Sequence, residues 1–172
     1  MTAFVAGRYT ATYNSKALGQ TSEGFRLSHQ FFQRLITGDL GGDTPQDAIY
    51  RGREQFINYT LIEALAAGVA DVVEPFAGTV GTPLTLGTIG ALAVRGVDDG
   101  SGGRTSVAKS LVLTVVAGTT AEEGGPASIT LPLAILAEGF PVEVFYGPDL
   151  REVPVRQRIY PTMSTGVFGT EA

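Results

Sequence analysis

The chain has 172 residues, and its 12 basic against 17 acidic side chains give a formal net charge of −5. This length favours one domain with a buried core. The acidic balance disfavours a sequence-independent grip on nucleic acid phosphates or anionic lipid. The absence of cysteine excludes disulfide frameworks and thiol nucleophiles, and the single histidine excludes histidine-rich metal sites. No signal peptide or membrane-spanning run is evident, so we expect a soluble, unexported protein.

The N-terminal part of the chain predicts two strands. Apolar and polar residues alternate from Arg8 to Tyr13, which is typical of a half-buried strand, and Asn14 with Ser15 predicts the turn that closes it. A longer alternation runs from Phe25 to Leu35, and Phe32 breaks it on the polar face. Two interpretations of the break stay open: a β-bulge, or an outward aromatic that meets a neighbouring subunit.

Residues 37–47 (TGDLGGDTPQD) predict a long exposed loop, because their Gly, Asp and Pro content is unsuited to a central strand. A strand follows from about Ile49 to Thr60. Apolar residues at helical spacing then predict the one helix, over about 61–74, which Pro75 ends.

The remaining sequence predicts further strands and flexible connections. Residues 84–95 and 105–116 predict a hairpin around the connection 96–104, and a second connection covers 118–126. Strands are predicted over 128–136, where Pro132 requires an edge or a bulge, and over 140–146 and 152–160. In the last of these, alternation predicts that Val153, Val155 and Ile159 face inward. The fold class is therefore mainly β: an antiparallel β-sandwich or barrel with one flanking α-helix and extended loops or arms.

Few residues have the pattern of a catalytic or metal site. The lone His29 lies in strand alternation and is better explained as a core or interface histidine than as a catalytic one. Asp98 and Asp99 could supply oxygens to calcium, yet the ordered calcium-loop spacing is missing, which favours a solvated turn. Glu122 and Glu123 could act as a glycosidase pair, but no aromatic platform lies near them in the sequence. We therefore expect no enzyme activity, no cofactor and no resident metal.

The ten arginines against two lysines are more informative, because arginine is suited to carboxylate pairs between subunits. Two interpretations are about equally favoured: ordinary solvated strand faces, or an interface role. The arginines concerned are Arg51, Arg53, Arg151, Arg156 and Arg158.

Two stretches resemble the tail tube (major tail) proteins of tailed bacteriophages. Residues 7–63 (GRYTATYNSKALGQTSEGFRLSHQFFQRLITGDLGGDTPQDAIYRGREQFINYTLIE) are similar to the opening of these proteins, and residues 136–161 (LAEGFPVEVFYGPDLREVPVRQRIYP) to their closing strands. The resemblance covers about half of the chain. It rests on the succession of a strand, an acidic Gly/Pro-rich loop and a further strand, and not on a set of residues with a defined chemistry.

This resemblance implies a non-enzymatic subunit of hexameric rings that stack into a hollow tube, through which phage DNA is ejected without specific binding. It implies a location in the virion tail after synthesis in the bacterial cytoplasm, with sheath, tape measure, baseplate and terminator proteins as further partners and with no membrane. Residues 1–7 and 162–172 would be arms, and the loop 38–47 would bridge rings. The implied interface residues are Asp39, Leu40, Asp43, Pro45, Asp47, Phe32, Arg51, Arg53, Arg156 and Arg158, and the acidic lumen or loop residues are Asp98, Asp99, Glu122 and Glu123.

Two alternatives share the same composition. A capsid decoration or head-tail completion protein would have the same β-rich fold without catalytic residues. A carbohydrate-binding sandwich would need a row of surface aromatics, and the absence of tryptophan weakens that alternative.

Overall fold

A computed structural model describes residues 8–38, 44–62, 67–73, 75, 97–98, 104–105, 108–116, 126–143, 152–162 and 165–172. Within these ranges the protein is mainly antiparallel β-sheet with one short helix, which confirms the predicted fold class. The elements are β1 Tyr9–Tyr13, β2 Lys16–Ala17, β3 Arg26–Thr37, β4 Pro45–Leu61, α1 Val69–Val73, β5 Val97–Asp98, β6 Arg104–Thr105, β7 Lys109–Val115, β8 Ser128–Leu136, β9 Val153–Ile159 and β10 Thr170–Glu171.

The main sheet has the order β2-β1-β7-β8-β9-β4-β3, with β10 added beside β8. Among the described strands the ladder is open at β2 and β3 and does not close into a barrel. The chain after β2 still links the two sides of the sheet: the Leu18 amide donates to the Ala11 carbonyl on β1, and the Ser22 amide donates to the Thr60 carbonyl on β4. The sheet is therefore curved, with one face directed inward.

The inward face carries the hydrophobic core. Alternate residues of β1, β4, β7, β8 and β9 are buried there, as expected for strands with one covered face. On β9 this confirms the predicted inward Val153, Val155 and Ile159. Two tyrosines complete the core with their hydroxyls bonded: Tyr13 donates to the Ala134 carbonyl at 2.9 Å, and Tyr59 donates to Gln157 Oε1 at 3.1 Å.

The turn between β1 and β2 lies where the sequence predicts it. Asn14 and Ser15 both have positive φ, 52° and 63°, as a two-residue type I′ hairpin turn requires. Asn14 Nδ2 donates to Asp71 Oδ2 and Lys16 Nζ pairs with Asp71 Oδ1, each at 3.0 Å. These contacts attach α1 to the β1–β2 turn.

The predicted start of the helix is wrong. Leu61 is the last residue of β4, where it pairs with Val153, and α1 covers only Val69–Val73; residues 63–66 and 74 lie outside the described ones. The helix begins after Gly68, whose amide donates to the Ala17 carbonyl at 2.9 Å. A Cβ at Gly68 would lie 2.8 Å from Leu18 Cδ2, so this approach requires glycine.

The predicted loop over 37–47 is too long. Thr37 still belongs to β3, while Pro45 and Asp47 belong to β4, so only residues 38–44 connect the two strands. Pro45 is tolerated because it is the first residue of β4, in a part of that strand that pairs on one side only. Residues 39–43 lie outside the described ones.

Other boundaries also differ from the prediction. The connection 96–104 contains β5, which pairs with β6. Residues 140–143 form no strand, and residues 84–95, 118–125 and 144–146 lie outside the described ones. The strand over 128–136 has the predicted bounds. It takes the bulge alternative at Pro132, because the β7–β8 register shifts between the pairs Lys109–Ala134 and Leu111–Leu131.

Candidate functional site

The hairpin of β3 and β4 extends beyond the rest of the sheet. β9 pairs with β4 only over Gln55–Leu61, whereas β3 pairs with β4 from Asn58 to Pro45. We call residues 31–38 and 44–54 the projecting hairpin. Nearly all of its side chains are exposed, while the residues of β4 from Gln55 onward are mostly buried. One pair of strands thus begins in the core and ends in solvent.

The projecting hairpin carries most of the exposed large apolar side chains of the described residues. Phe31 and Tyr50 lie on one face with their ring centroids 6.5 Å apart, and strand alternation places Leu35 on the same side. Phe32, Ile36 and Ile49 lie on the opposite face of the hairpin. The exposed large apolar residues are Leu27, Phe31, Phe32, Leu35, Ile36, Ile49, Tyr50 and Val167. A hairpin that is apolar on both faces is typical of a segment that packs between other protein surfaces.

The outer edge of β3 adds a second unusual feature. β3 has 12 residues, and among the described strands it pairs only with β4. Its other edge therefore presents backbone donors and acceptors along an exposed apolar strand. Such an edge invites pairing or packing with another chain.

A bulge separates the hairpin base from its outer part. Phe32 pairs with Gly52 and Gln33 with Tyr50, so Arg51 is the extra residue on β4. Gly52 has φ 135°, a backbone conformation that favours glycine. The bulge lies on β4, opposite Phe32, and β3 itself has no extra residue there, so Phe32 is an outward aromatic and its side chain is exposed. Whether Phe32 meets a neighbouring subunit stays a prediction.

The structure divides the predicted interface residues between two places. Five of them belong to the projecting hairpin and are exposed: Phe32, Pro45, Asp47, Arg51 and Arg53. Arg156 and Arg158 lie instead on β9. Asp39, Leu40 and Asp43 are outside the described residues.

Arg156 and Arg158 form a cluster where the hairpin joins the sheet. Their guanidinium carbons lie 4.3 Å and 4.8 Å from the centre of the Phe56 ring. Arg158 also pairs with Glu54 at 2.8 Å and with Glu138. The hydrogen bond from Arg158 holds the pKa of Glu138 below its ordinary value. This cluster fixes the base of the hairpin against the outward face of β9.

The remaining predicted residues are placed as follows. The backbone of Asp98 lies in β5, while Asp99, Arg151, Glu122 and Glu123 are outside the described residues. His29 is exposed on β3 with its ring 5.5 Å from Phe31, so the core interpretation of this histidine is wrong for the isolated chain. Within the described ranges, no group of three acidic or histidine side chains could hold a metal ion.

Sequence reasoning missed the double-sided character of the hairpin. The signal was present in three adjacent apolar pairs: Phe31 with Phe32, Leu35 with Ile36, and Ile49 with Tyr50. Because neighbouring residues of a strand point to opposite faces, each pair puts an apolar side chain on both. In the ladder Ile49 and Tyr50 lie opposite Arg34 and Gln33, between the two apolar pairs of β3.

Comparison with known proteins adds no family to this description. No family description matches the sequence, and no curated protein matches it significantly. In the described part of the chain, no helix has the length and apolar character needed to cross a bilayer.

Proposed function

We propose that the protein is a structural virion subunit that forms hexameric rings, and that these rings stack into the hollow tail tube of a phage. The observation that carries this proposal is the projecting hairpin, which is apolar on both faces and whose outer strand β3 pairs, among the described strands, only with β4. An isolated two-stranded hairpin is marginally stable in water. A hairpin of this composition gains its stability by packing against other copies of the subunit.

Charge is compatible with the same role. A tube that lets DNA slide must avoid a strong grip on its phosphates, and a subunit of net charge −5 meets that condition. Asp98, Asp99, Glu122 and Glu123 remain the predicted acidic lumen or loop residues. Sheath, tape measure, baseplate and terminator proteins remain the predicted partners in the tail.

Head-to-tail contacts provide the physical route from one subunit to a tube. A surface patch that meets a different patch on the next copy makes a heterologous contact, which closes into a ring or continues as a filament. The hairpin supplies one such patch at a distance from the rest of the sheet. Stacked rings need both a lateral and an axial contact, and the two apolar faces of the hairpin offer one surface for each.

The test is electron microscopy of the purified chain over a concentration series, with light scattering on the same samples. We expect six-fold rings and stacked tubes with an open centre. The double substitution Leu35→Ser with Tyr50→Ser removes apolar area from one hairpin face. It should raise the concentration needed for assembly at least about tenfold, because burial of one such side chain contributes about 1.5–3 kcal/mol.

The matched control is Glu152→Ala, an exposed change just before β9 and outside the hairpin, which should assemble like the parent chain. Urea unfolding should give the same midpoint for all three proteins, which separates lost assembly from lost folding. Discrete particles that never stack would favour the capsid decoration or head-tail completion alternative. Monomers at every concentration would contradict the proposal.

A further inference from the structure

Two buried glutamines lie in the core where the projecting hairpin joins the sheet. Gln55 is the first buried residue of β4 and is 8% exposed, and Gln157 on β9 has no exposed surface. Gln157 Oε1 accepts a hydrogen bond from the Tyr59 hydroxyl at 3.1 Å. Its amide nitrogen Nε2 is buried without a hydrogen-bond partner among the described residues, and the same holds for Gln55 Oε1. An unpaired donor and an unpaired acceptor therefore lie in the same core.

The β4–β9 ladder makes these two side chains neighbours. Gln55 lies opposite Ile159 and Gln157 lies opposite Ile57, so the two glutamines are diagonal neighbours on the inward face. Diagonal neighbours of an antiparallel pair lie about 7–8 Å apart, which is within reach of long side chains. Because both atoms lack a partner, the two amides do not bond each other directly. A small group between them would satisfy both.

The chemistry of the pair selects a neutral ligand that both donates and accepts hydrogen bonds. The Gln157 amide nitrogen is a donor only and disfavours a cation, and the Gln55 carbonyl oxygen is an acceptor only and disfavours an anion. Water meets both requirements with a single molecule. Buried waters in proteins characteristically bond polar groups that the protein itself leaves unsatisfied.

A cavity beside Gln55 provides room and access for water. It lies between β10 and the base of the projecting hairpin, and Gln55 lines it together with Leu27 and Arg53 on one side and residues 169–171 on the other. Its volume is about 300 Å³, several times the volume of about 30 Å³ that one water molecule occupies in the liquid. Water that enters this cavity reaches Gln55.

We propose that a buried water molecule links the two glutamines, accepting from Gln157 Nε2 and donating to Gln55 Oε1. The water satisfies the polar groups at the residue where β4 passes from the core into the projecting hairpin. This inference does not depend on self-assembly, so its failure and the failure of the tail tube proposal are distinguishable.

A double-substitution cycle tests whether the two amides share a ligand. Methionine is unbranched like glutamine and has no amide, so Gln55→Met and Gln157→Met each remove one partner of the water. The lost bond from Tyr59 is common to both variants without Gln157 and cancels from the cycle. Urea unfolding of dilute samples should give a coupling of at least about fivefold in the unfolding equilibrium constant, with the double variant more stable than additive losses predict.

The matched control uses an exposed glutamine of the projecting hairpin. Gln33→Met makes the same chemical change on β3, away from the core. A cycle of Gln33→Met with Gln157→Met should be additive, because distant residues without a shared partner do not couple. Coupling in this control cycle would overturn the assignment of the effect to the buried pair.

Magnetic relaxation dispersion of the solvent oxygen nucleus tests for the water itself. This measurement detects buried waters that exchange more slowly than the protein tumbles. The samples carry Leu35→Ser and Tyr50→Ser, which weaken assembly at the protein concentrations required. Adding Gln55→Met with Gln157→Met should lower the dispersion amplitude by the contribution of a single water molecule, and adding Gln33→Met should leave it unchanged.

The two measurements together decide the proposal. Coupled free energies with a lower dispersion amplitude support the bridging water. Additive free energies overturn it, since the two amides would then share no ligand. Coupling with an unchanged amplitude also overturns it, because the amides would interact without a long-lived water. If Gln157→Met does not fold, Gln55→Met alone decides: it removes the acceptor and should abolish the same signal, and an unchanged amplitude overturns the proposal.

Discussion

Strand β4 passes from one environment to another within a single element. From Gln55 to Leu61 it pairs with β9 and every residue is buried or half-buried, whereas from Pro45 to Arg51 every residue is exposed. Ile57 has no exposed surface and Ile49 is 54% exposed, although both belong to this strand. The backbone pairing with β3 continues across both parts, so the difference lies in packing and not in secondary structure.

This contrast shows which interactions stabilise each region. The body of the sheet buries its apolar face on its own and bonds its buried tyrosine hydroxyls internally. The projecting hairpin has a ladder with two register shifts, after Phe32 and after Ile36. Arg53 and Glu54 at its base contact Phe168 and Arg158, but most of its other side chains are exposed. Its exposed apolar area contributes little to the fold of the subunit, and we propose that it stabilises a contact with another copy of the chain.

The largest difference between the regions should appear in a matched pair of isoleucine substitutions. Ile57→Ala removes a fully buried side chain and should lower the free energy of unfolding by about 2–5 kcal/mol. Ile49→Ala should change it by less than about 0.5 kcal/mol and weaken assembly instead. Urea unfolding and light scattering measure the two effects. Equal losses of stability would show that the hairpin packs within its own subunit.

The buried tyrosines of the sheet body should make the free energy of unfolding depend on pH in alkaline solution. Burial raises the pKa of Tyr13 and Tyr59 above the ordinary value of 10.0. Above pH 10 the unfolded chain releases these protons more readily than the folded chain does, so stability present below pH 10 is lost as the pH rises. The two residues together should contribute a slope of about 2.7 kcal/mol per pH unit.

Tyr13→Phe isolates one of the two contributions. In this variant only Tyr59 contributes, so the tyrosine contribution to the slope of the free energy of unfolding above pH 10 should fall to about half. Each protein is compared with its own stability at pH 8. Urea titrations between pH 8 and pH 11 measure the slope. An unchanged slope would show that Tyr13 ionises equally in the folded and unfolded chains.

The sequence predicted the body better than the hairpin because the body obeys local rules. Apolar–polar alternation predicted β1 and the inward residues of β9, and the turn-forming residue types predicted the turn at Asn14 and Ser15. Each of these features depends on the nearest neighbours in the chain and on one covered face. Pro132 was likewise restricted to a sheet edge or a bulge, and the register shift between β7 and β8 is such a bulge.

Tertiary contacts decided the features that the sequence missed. Leu61 has helical spacing to later apolar residues, yet its ladder with Val153 and its bridge to Thr21 keep it in β4. Thr37 and Pro45 lie in a Gly/Asp-rich stretch, but the long β3–β4 ladder continues through them. The groove between residues 19–25 and the strands β1, β7 and β8 could not be predicted, since it joins residues that are more than 100 positions apart in the chain.

A matched pair of aspartates should show the same contrast at smaller magnitude. The Asp71 side chain is 2% exposed and accepts from both Asn14 and Lys16, so Asp71→Asn should cost about 1–3 kcal/mol of folding stability. Asp47 is exposed on the hairpin and accepts only from the adjacent Ala48 amide among its described contacts. Asp47→Asn should change stability by less than about 0.5 kcal/mol. Thermal unfolding measures both variants, and a costly Asp47→Asn would place that residue in an unexpected intramolecular contact.

The smallest effect is expected where the two regions meet. Glu138 accepts a hydrogen bond from Arg158 Nε at 2.9 Å, and this bond lowers the Glu138 pKa. The stability that the bond contributes is therefore present above pH 4.5 and is lost as the pH falls and the carboxylate is protonated. Because the Glu138 side chain is mostly exposed, Glu138→Gln should cost at most about 0.5 kcal/mol at pH 7. Arg158 retains Glu54 at 2.8 Å on the hairpin side, which limits the loss further. Urea unfolding at pH 7 and pH 3 should therefore show a small difference from the parent chain that disappears in acid. A loss above about 1 kcal/mol would instead mean that Glu138, and not Glu54, holds Arg158 against Phe56 and so fixes the base of the hairpin.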